Sequence, residues 1–163
     1  MKEVLISMFL LAVSVSACSV KDAKNPNQPA PNKTNDLPQI MLTLPDHSRI
    51  SAKDLEGQII LIFFQPDCDH CQREAKAISE HLNAFARYKI YFTTTEDFNA
   101  INQFANNYLL SDKTNIYFAQ ATLDEILNSV GPISAPSMFI YSDRKLVKHL
   151  DGETPIEEIL KHL

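Results

Sequence analysis

From Pro38 onward, the apolar residues of this 163-residue chain form short continuous runs and stripes of helical spacing. The run Ile59–Phe64 is six residues long and rich in β-formers, so it predicts a strand buried on both faces. Gln65-Pro66-Asp67 breaks the run, and a helix is predicted to follow. One face of that helix carries Cys71, Ala75, Ile78, Leu82 and Phe85.

The other segments predict the remaining elements of one α/β domain. They comprise a leading hairpin over 39–48, a helical turn over 51–57, strands over 89–94 and 114–119, helices over 98–108 and 123–130, and a hairpin over 137–150. The segment Thr154-Pro155-Ile156-Glu157 matches a capping box with Thr154 as N-cap, which predicts a C-terminal helix. Strands that alternate with helices and end in a hairpin indicate a mixed central β-sheet flanked by helices.

The N-terminus has the pattern of a secretory signal. Lys2 precedes an apolar stretch of about a dozen residues, which is too short to cross a bilayer as a helix. Val15-Ser16-Ala17-Cys18 resembles a bacterial lipobox. We therefore expect residues 1–17 to be a lipoprotein signal peptide and Cys18 to be acylated, while an ordinary secretory signal is the alternative.

Residues 18–37 are rich in Asn, Pro and Lys and are expected to form a flexible tether to the membrane, with an ordered arm as the alternative. Residues 38–163 are expected to form the folded domain. The predicted location is extracytoplasmic, lipid-anchored to a bacterial membrane and facing the periplasm. Ser19 after the acylated cysteine favours the outer membrane.

The net charge and the number of cysteines exclude some classes of function. The formal net charge is -5, with 20 acidic against 15 basic residues, and such a surface repels nucleic acids. Of the three cysteines, only Cys68 and Cys71 are available for one intrachain bridge, which excludes a disulfide-stapled scaffold. These two residues form the motif Cys68-Asp69-His70-Cys71.

This motif suits disulfide exchange, which needs one accessible thiolate and a second thiol to resolve the mixed disulfide. Cys68 opens the predicted helix, where unpaired N–H groups and the helix dipole favour a negative sulfur. Cys71 belongs to the apolar stripe and is therefore expected to point inward. Cys68 is the predicted nucleophile and Cys71 the predicted resolving thiol, and the pair would form the redox disulfide.

Two other interpretations of the motif remain open. A zinc site needs four ligands, and no other cysteine is available to complete one, since Cys18 is the predicted lipidation site. A merely structural disulfide would close a loop too short to stabilise the fold much.

The order of these motifs resembles that of the thioredoxin superfamily, and within it the TlpA/ResA-like extracytoplasmic thiol–disulfide oxidoreductases. The resemblance spans 38–163 and includes the hairpin, Phe63-Phe64 leading to the CxxC, and the segment Gly131–Ile140. It implies a thioredoxin-like fold with an added N-terminal β-hairpin. It also implies that Pro136 is cis and faces the cysteines, and that the backbone of Ala135 pairs with substrate. Glu74 matches an acidic residue of this family and could accept the proton of Cys71, although a solvated surface charge is the alternative.

The chain departs from this family beside the cysteines. Asp67 stands in the place of the usual Trp, and His70 in that of the usual Pro. His70, if protonated, would stabilise a Cys68 thiolate, whereas Asp67, Asp69 and Glu74 would oppose it. The sequence therefore leaves the redox direction open. Gln65 disfavours peroxiredoxin chemistry, which requires Thr or Ser at that position.

The predicted function is a membrane-anchored thiol–disulfide oxidoreductase, more specifically a reductase of extracytoplasmic protein disulfides with a role in cytochrome c maturation. The predicted partners are protein dithiol or disulfide substrates, a membrane electron-donor thiol protein and the membrane itself, with no cofactor. A dithiol oxidase and a copper-binding chaperone are the alternatives, since Cu(I) prefers thiolates.

Overall fold

A computed structural model describes residues 35–163. The predicted signal peptide, the lipidation site at Cys18 and the tether up to residue 34 lie outside the described residues. No helix within 35–163 combines the length and the apolar character needed to span a bilayer. The strands are β1 Met41–Thr43, β2 Arg49–Ser51, β3 Gln58–Phe63, β4 Lys89–Thr94, β5 Ile116–Gln120, β6 Ser137–Ser142 and β7 Lys145–Asp151. The α-helices are α1 Asp69–Glu80, α2 Phe98–Asn107, α3 Leu123–Val130 and α4 Ile156–Leu160.

The seven strands form one sheet in the order β2-β1-β5-β4-β3-β6-β7. Strands β3, β4 and β5 are parallel, while β6 pairs antiparallel with β3 and β7 antiparallel with β6. The antiparallel hairpin of β1 and β2 extends the sheet beyond β5. The predicted mixed sheet flanked by helices is therefore confirmed. Because β3, β4 and β5 are parallel, their carboxyl ends meet at one edge, from which the CxxC loop leaves β3.

Strand β3 supplies side chains to two cores, one on each face of the sheet. Ile60 and Ile62 pack with residues of α1, α2 and α4 on one face. Ile59 and Leu61 pack with Ile126 of α3 on the other face. The continuous apolar run thus reflects a strand covered on both sides, and it gives the CxxC loop a rigid base.

The folded part begins before Pro38. Leu37 is 1% exposed, and the Asp36 N–H donates a 2.8 Å hydrogen bond to the carbonyl of Arg144. Asn35 donates through its side chain to the carbonyl of Lys53 at 2.8 Å. Residues 35–37 are therefore packed on the domain.

The apolar stripe that begins at Cys71 continues past the end of its helix. Helix α1 stops at Glu80, and the last members of the stripe lie in a 3₁₀ turn, Leu82–Phe85. Phe85 is still fully buried in the same core as Cys71. The stripe was thus correctly assigned to the core, although it spans two elements.

The predicted capping box at Thr154 is wrong, since Pro155 is the N-cap of α4 and no side chain caps that helix. The Thr154 hydroxyl instead donates to the carbonyl of Gly152 at 3.1 Å. A complete capping box lies at α3, where Thr122 and Glu125 bond reciprocally. The backbone N–H of Thr154 has another acceptor, the buried carboxylate of Glu74, which competes with local capping for this segment.

We expect Thr122→Ala to lower the free energy of unfolding by about 1 kcal/mol, because it removes an N-cap hydrogen bond. Thr154→Ala serves as the matched control and should cost less, since that hydroxyl caps no helix. Urea denaturation of the two variants measures the difference. If Thr154→Ala lowered the free energy of unfolding as much as Thr122→Ala or more, the assignment of Thr122, and not Thr154, as a helix N-cap would be contradicted.

Candidate active site

Cys68 occupies the N-cap of α1, at the sheet edge where β3 ends. Its backbone is extended, with φ -84° and ψ 117°, and its Sγ accepts from the N–H of Cys71 at 3.5 Å. This donor is one of the unpaired amides of the first helical turn, so the sulfur sits at the positive end of the helix. Cys68 is partly exposed, and both cysteines of the motif are free thiols.

Cys71 lies one turn further along α1 and points into the core. It is 2% exposed, and its Sγ accepts from the N–H of Gln65 at 3.4 Å. Burial, with smaller contributions from the neighbouring Cys68 and Glu74 and against the opposing Gln65 hydrogen bond, raises the pKa of the Cys71 thiol to about 12. The two thiols therefore differ in exposure, and only Cys68 is accessible to a macromolecular disulfide.

The loop before β6 lies against Cys68. The peptide bond Ala135–Pro136 is cis. The Cys68 thiol donates to the carbonyl of Ala135 at 3.6 Å, within reach of a weak sulfur hydrogen bond. Three residues predicted for the site, Cys68 at the start of α1 and Ala135 and Pro136 in the loop that enters β6, therefore lie together.

Glu74 is a buried carboxylic acid one turn beyond Cys71. It is 3% exposed, and its Oε2 accepts from the Thr154 N–H at 3.2 Å. Its Oε1 has no hydrogen-bond partner among residues 35–163. Burial raises the pKa of Glu74 to about 7, partly offset by the Thr154 hydrogen bond. Glu74 is therefore not a solvated surface charge, and it can exchange a proton near neutral pH.

His70 contacts two residues outside the predicted site, Glu153 and Arg73. Its Nδ1 lies 2.5 Å from Oε2 of Glu153 and 2.8 Å from Nη2 of Arg73. Arg73 also binds Glu153 with two hydrogen bonds, of 2.7 and 2.6 Å. Arg73 could have been noticed from its i+3 spacing to His70, whereas Glu153 is 80 residues from Arg73 and gave no local signal.

The hydrogen bonds from Arg73 and, to a smaller extent, the one from His70 lower the pKa of Glu153 to about 2. A carboxyl whose folded pKa lies below its ordinary value stabilises the fold above pH 4.5 and loses that effect as the pH falls towards 2. We therefore expect Glu153→Gln to lower the Tm slightly at pH 7 and to leave it unchanged near pH 2. The effect is small because the three side chains are solvent-accessible.

Thermal unfolding between pH 2 and pH 8 tests this expectation. Glu157→Gln provides the control, because Glu157 is an exposed carboxylate of the next helix with no ion pair among the described residues. If the Tm of Glu153→Gln were still below that of the unaltered protein at pH 2, the loss of stability would not be electrostatic.

The described residues contain no group of three or more His, Cys, Asp or Glu side chains that could hold a metal ion. Cys68 and Cys71 are the two thiols of this region, and His70 is engaged by Glu153 and Arg73. The arrangement thus provides two thiols of unequal exposure, a buried acid and a cis-proline loop.

Comparisons with solved structures identify the fold. A secreted Mycobacterium tuberculosis disulfide oxidoreductase homologous to E. coli DsbE is similar, with a TM-score of 0.64 and 18% identity over 76% of this chain and 93% of that one. StoA from Bacillus subtilis is similar with a TM-score of 0.58 and 15% identity, covering 74% of this chain and 92% of StoA. A thioredoxin-like protein from Porphyromonas gingivalis gives a TM-score of 0.58 and 20% identity, with coverages of 80% and 91%.

These similarities confirm the thioredoxin-like fold that the sequence resemblance implied. A sequence comparison with curated proteins gave no significant match. The profile of the AhpC/TSA family matches residues 27–150, which is more than half of the chain. The chain therefore belongs to the AhpC/TSA family.

Proposed function

We propose that the protein is a thiol–disulfide oxidoreductase in which Cys68 attacks and Cys71 resolves. The unequal burial of the two thiols is the observation that carries this proposal. Cys68 is partly exposed at the helix N-terminus, while Cys71 is almost completely buried. A substrate disulfide can reach the first sulfur but not the second.

The reaction is a pair of thiol–disulfide exchanges. The Cys68 thiolate attacks one sulfur of the substrate disulfide, forming a mixed disulfide and releasing one substrate thiolate. Cys71 then loses its proton and attacks the Cys68 sulfur, which releases the second substrate thiolate and leaves a Cys68–Cys71 disulfide. The substrate gains two electrons, and a reduced thiol protein must return them to the pair. Ala135 and Pro136 border Cys68 and are suited to contact the bound segment.

The reductase direction is supported by the surroundings of His70. Its Nδ1 contacts the Glu153 carboxylate, so that carboxylate, and not the Cys68 sulfur, is the hydrogen-bond partner of His70. Asp67 and Asp69, both exposed next to Cys68, place negative side chains on either side of it in the chain. A dithiol whose thiolate gains no stabilisation from neighbouring side-chain charges is a stronger reductant than one whose thiolate does. Protein disulfides, including those of a cytochrome c apoprotein, are the substrates that we propose, with a membrane thiol protein as electron donor.

The reduction potential of the Cys68–Cys71 pair tests the direction. Equilibration of the full-length protein with glutathione buffers should give a value below about -230 mV, whereas a value near -120 mV would indicate an oxidase. The Cys68→Ser variant is the control and should show no exchange. Tight stoichiometric Cu(I) binding without any dithiol exchange would instead favour the copper chaperone.

The predicted anchoring rests on the lipobox-like segment before Cys18. Extracytoplasmic location agrees with a chemistry that needs disulfides to persist. Mass spectrometry of the protein from membranes should find Cys18 as the acylated first residue, and Cys18→Ser should release the protein into the soluble fraction. Recovery of an unmodified Cys18 from membranes would contradict acylation.

A further inference from the structure

A cleft of about 250 Å³ lies between α2 and the segment formed by α1 and the loop before it. One end is formed by Pro66 and Asp67, and Asp67 immediately precedes Cys68 in the chain. Consecutive Cα atoms are about 3.8 Å apart, so the cleft begins one residue from the attacking sulfur. The cis-proline loop borders Cys68 separately, through Ala135.

The lining of this cleft combines polar and apolar side chains, and its one charged side chain is the carboxylate of Asp67. Three carboxamides, from Gln72, Gln103 and Asn107, contribute further oxygen acceptors. The Gln72 Nε2 donates to the carbonyl of Pro66 at 2.9 Å, which holds the amide in place and leaves its oxygen available as an acceptor. The cleft therefore offers an anionic group and several neutral acceptors.

A basic side chain fits this lining best. A lysine ammonium or an arginine guanidinium only donates hydrogen bonds, and it would pair with Asp67 as well as with the amide oxygens. Tyr108 also lines the cleft and adds an aromatic surface on which a cation or its aliphatic stem can pack. An acidic side chain would meet the Asp67 carboxylate and be repelled.

We propose that this cleft binds a lysine or arginine of the substrate polypeptide, located within two residues of the cysteine that Cys68 attacks. The inference rests on the proposed exchange function and adds a substrate preference to it.

Activated peptides test the preference. Each five-residue peptide has a central cysteine, activated as its 2-thiopyridyl disulfide so that Cys68 attacks the peptide sulfur. One of the four flanking positions, two on either side of the cysteine, carries either lysine or norleucine. Release of thiopyridone from the reduced full-length protein gives the rate for each peptide. At one position the lysine peptide should react about fivefold faster, the size of a partly exposed ion pair.

Asp67→Asn should reduce this lysine-to-norleucine ratio to about one, while Asp69→Asn should leave it unchanged. Asp69 is an exposed carboxylate on the other side of Cys68 and does not line the cleft. Because each ratio compares two peptides on the same protein, changes in the reactivity of the Cys68 thiol cancel. Circular dichroism checks that both variants are folded.

Three results would overturn the proposal: a ratio of one at every position in the unaltered protein, an equal loss of preference in Asp69→Asn, or a faster reaction of glutamate peptides. An equal loss in Asp69→Asn would mean that the preference for lysine comes from the general negative charge around the site and not from the cleft. Failure of Cys68 to react with any of the peptides would instead refute the proposed exchange function, so the two failures are distinguishable.

Discussion

Replacing Cys71 by serine is expected to turn the protein into a trap for its substrates. The Cys68 thiol still attacks, but no second thiol is positioned to break the mixed disulfide. Well-placed intramolecular groups reach effective molarities of roughly 10⁵–10⁸ M, so the loss of Cys71 should lengthen the lifetime of the mixed disulfide by several orders of magnitude. Non-reducing gels and mass spectrometry after rapid alkylation of extracts would identify the trapped proteins.

The matched variant is Cys68→Ser, which retains the buried thiol and loses the accessible one. It should trap nothing, because Cys71 is 2% exposed and its pKa is raised to about 12. If Cys68→Ser accumulated mixed disulfides and Cys71→Ser did not, the two roles would be reversed. Reduction of the adducts by dithiothreitol distinguishes them from other covalent products.

The sequence predicted those parts of the fold that depend on local patterns. The uninterrupted run that became β3 could be recognised because a strand covered on both faces has no polar positions. The strand Lys89–Thr94 and the helix Leu123–Val130 agree with the structure in both bounds. The inward position of Cys71 followed from the apolar stripe of its helix, since side chains four residues apart share a face.

The contacts around α1 could not be predicted, because they join segments about 80 residues apart. Glu74 meets the Thr154 N–H only because the β6–β7 hairpin returns the chain to the sheet beside α1. The same return places Glu153 against His70 and Arg73. It also explains the misplaced capping box, since a local motif at Thr154 gave way to a long-range acceptor. The pattern Thr122 to Glu125 satisfies the same local rule, and there the capping box does form.

These long-range contacts give Glu74 its proposed role as the base that accepts the Cys71 proton. Because its pKa is raised to about 12, the Cys71 thiol is protonated at pH 7 and needs a base to remove its proton. Glu74 has a pKa of about 7, lies one turn away on the same helix and keeps one oxygen without a partner among the described residues. It is therefore both near enough and basic enough to help resolution at neutral pH.

We expect Glu74→Gln to slow resolution about 100-fold, the lower end of the range for a general base. In the unaltered protein the rate should rise as the pH passes through about 7, where Glu74 ionises, and this rise should be absent from the variant. Rapid-quench measurement of mixed-disulfide decay between pH 5 and pH 9 gives both quantities. Glu80→Gln is the control, because Glu80 is exposed on the same helix.

The same substitution should stabilise the fold at alkaline pH. The pKa of Glu74 is raised on folding from 4.5 to about 7, so the native state binds its proton more tightly and stability falls as the pH rises between these values. Above pH 7 the buried carboxylate costs about 3 kcal/mol at most, and glutamine carries no such charge. Urea denaturation at pH 4 and pH 8 should give Glu74→Gln a gain in stability at pH 8 alone.

A gain of equal size at both pH values would mean that packing, and not ionisation, distinguishes the two side chains. Slower resolution combined with greater alkaline stability would indicate that the protein retains a costly buried acid because its chemistry needs one.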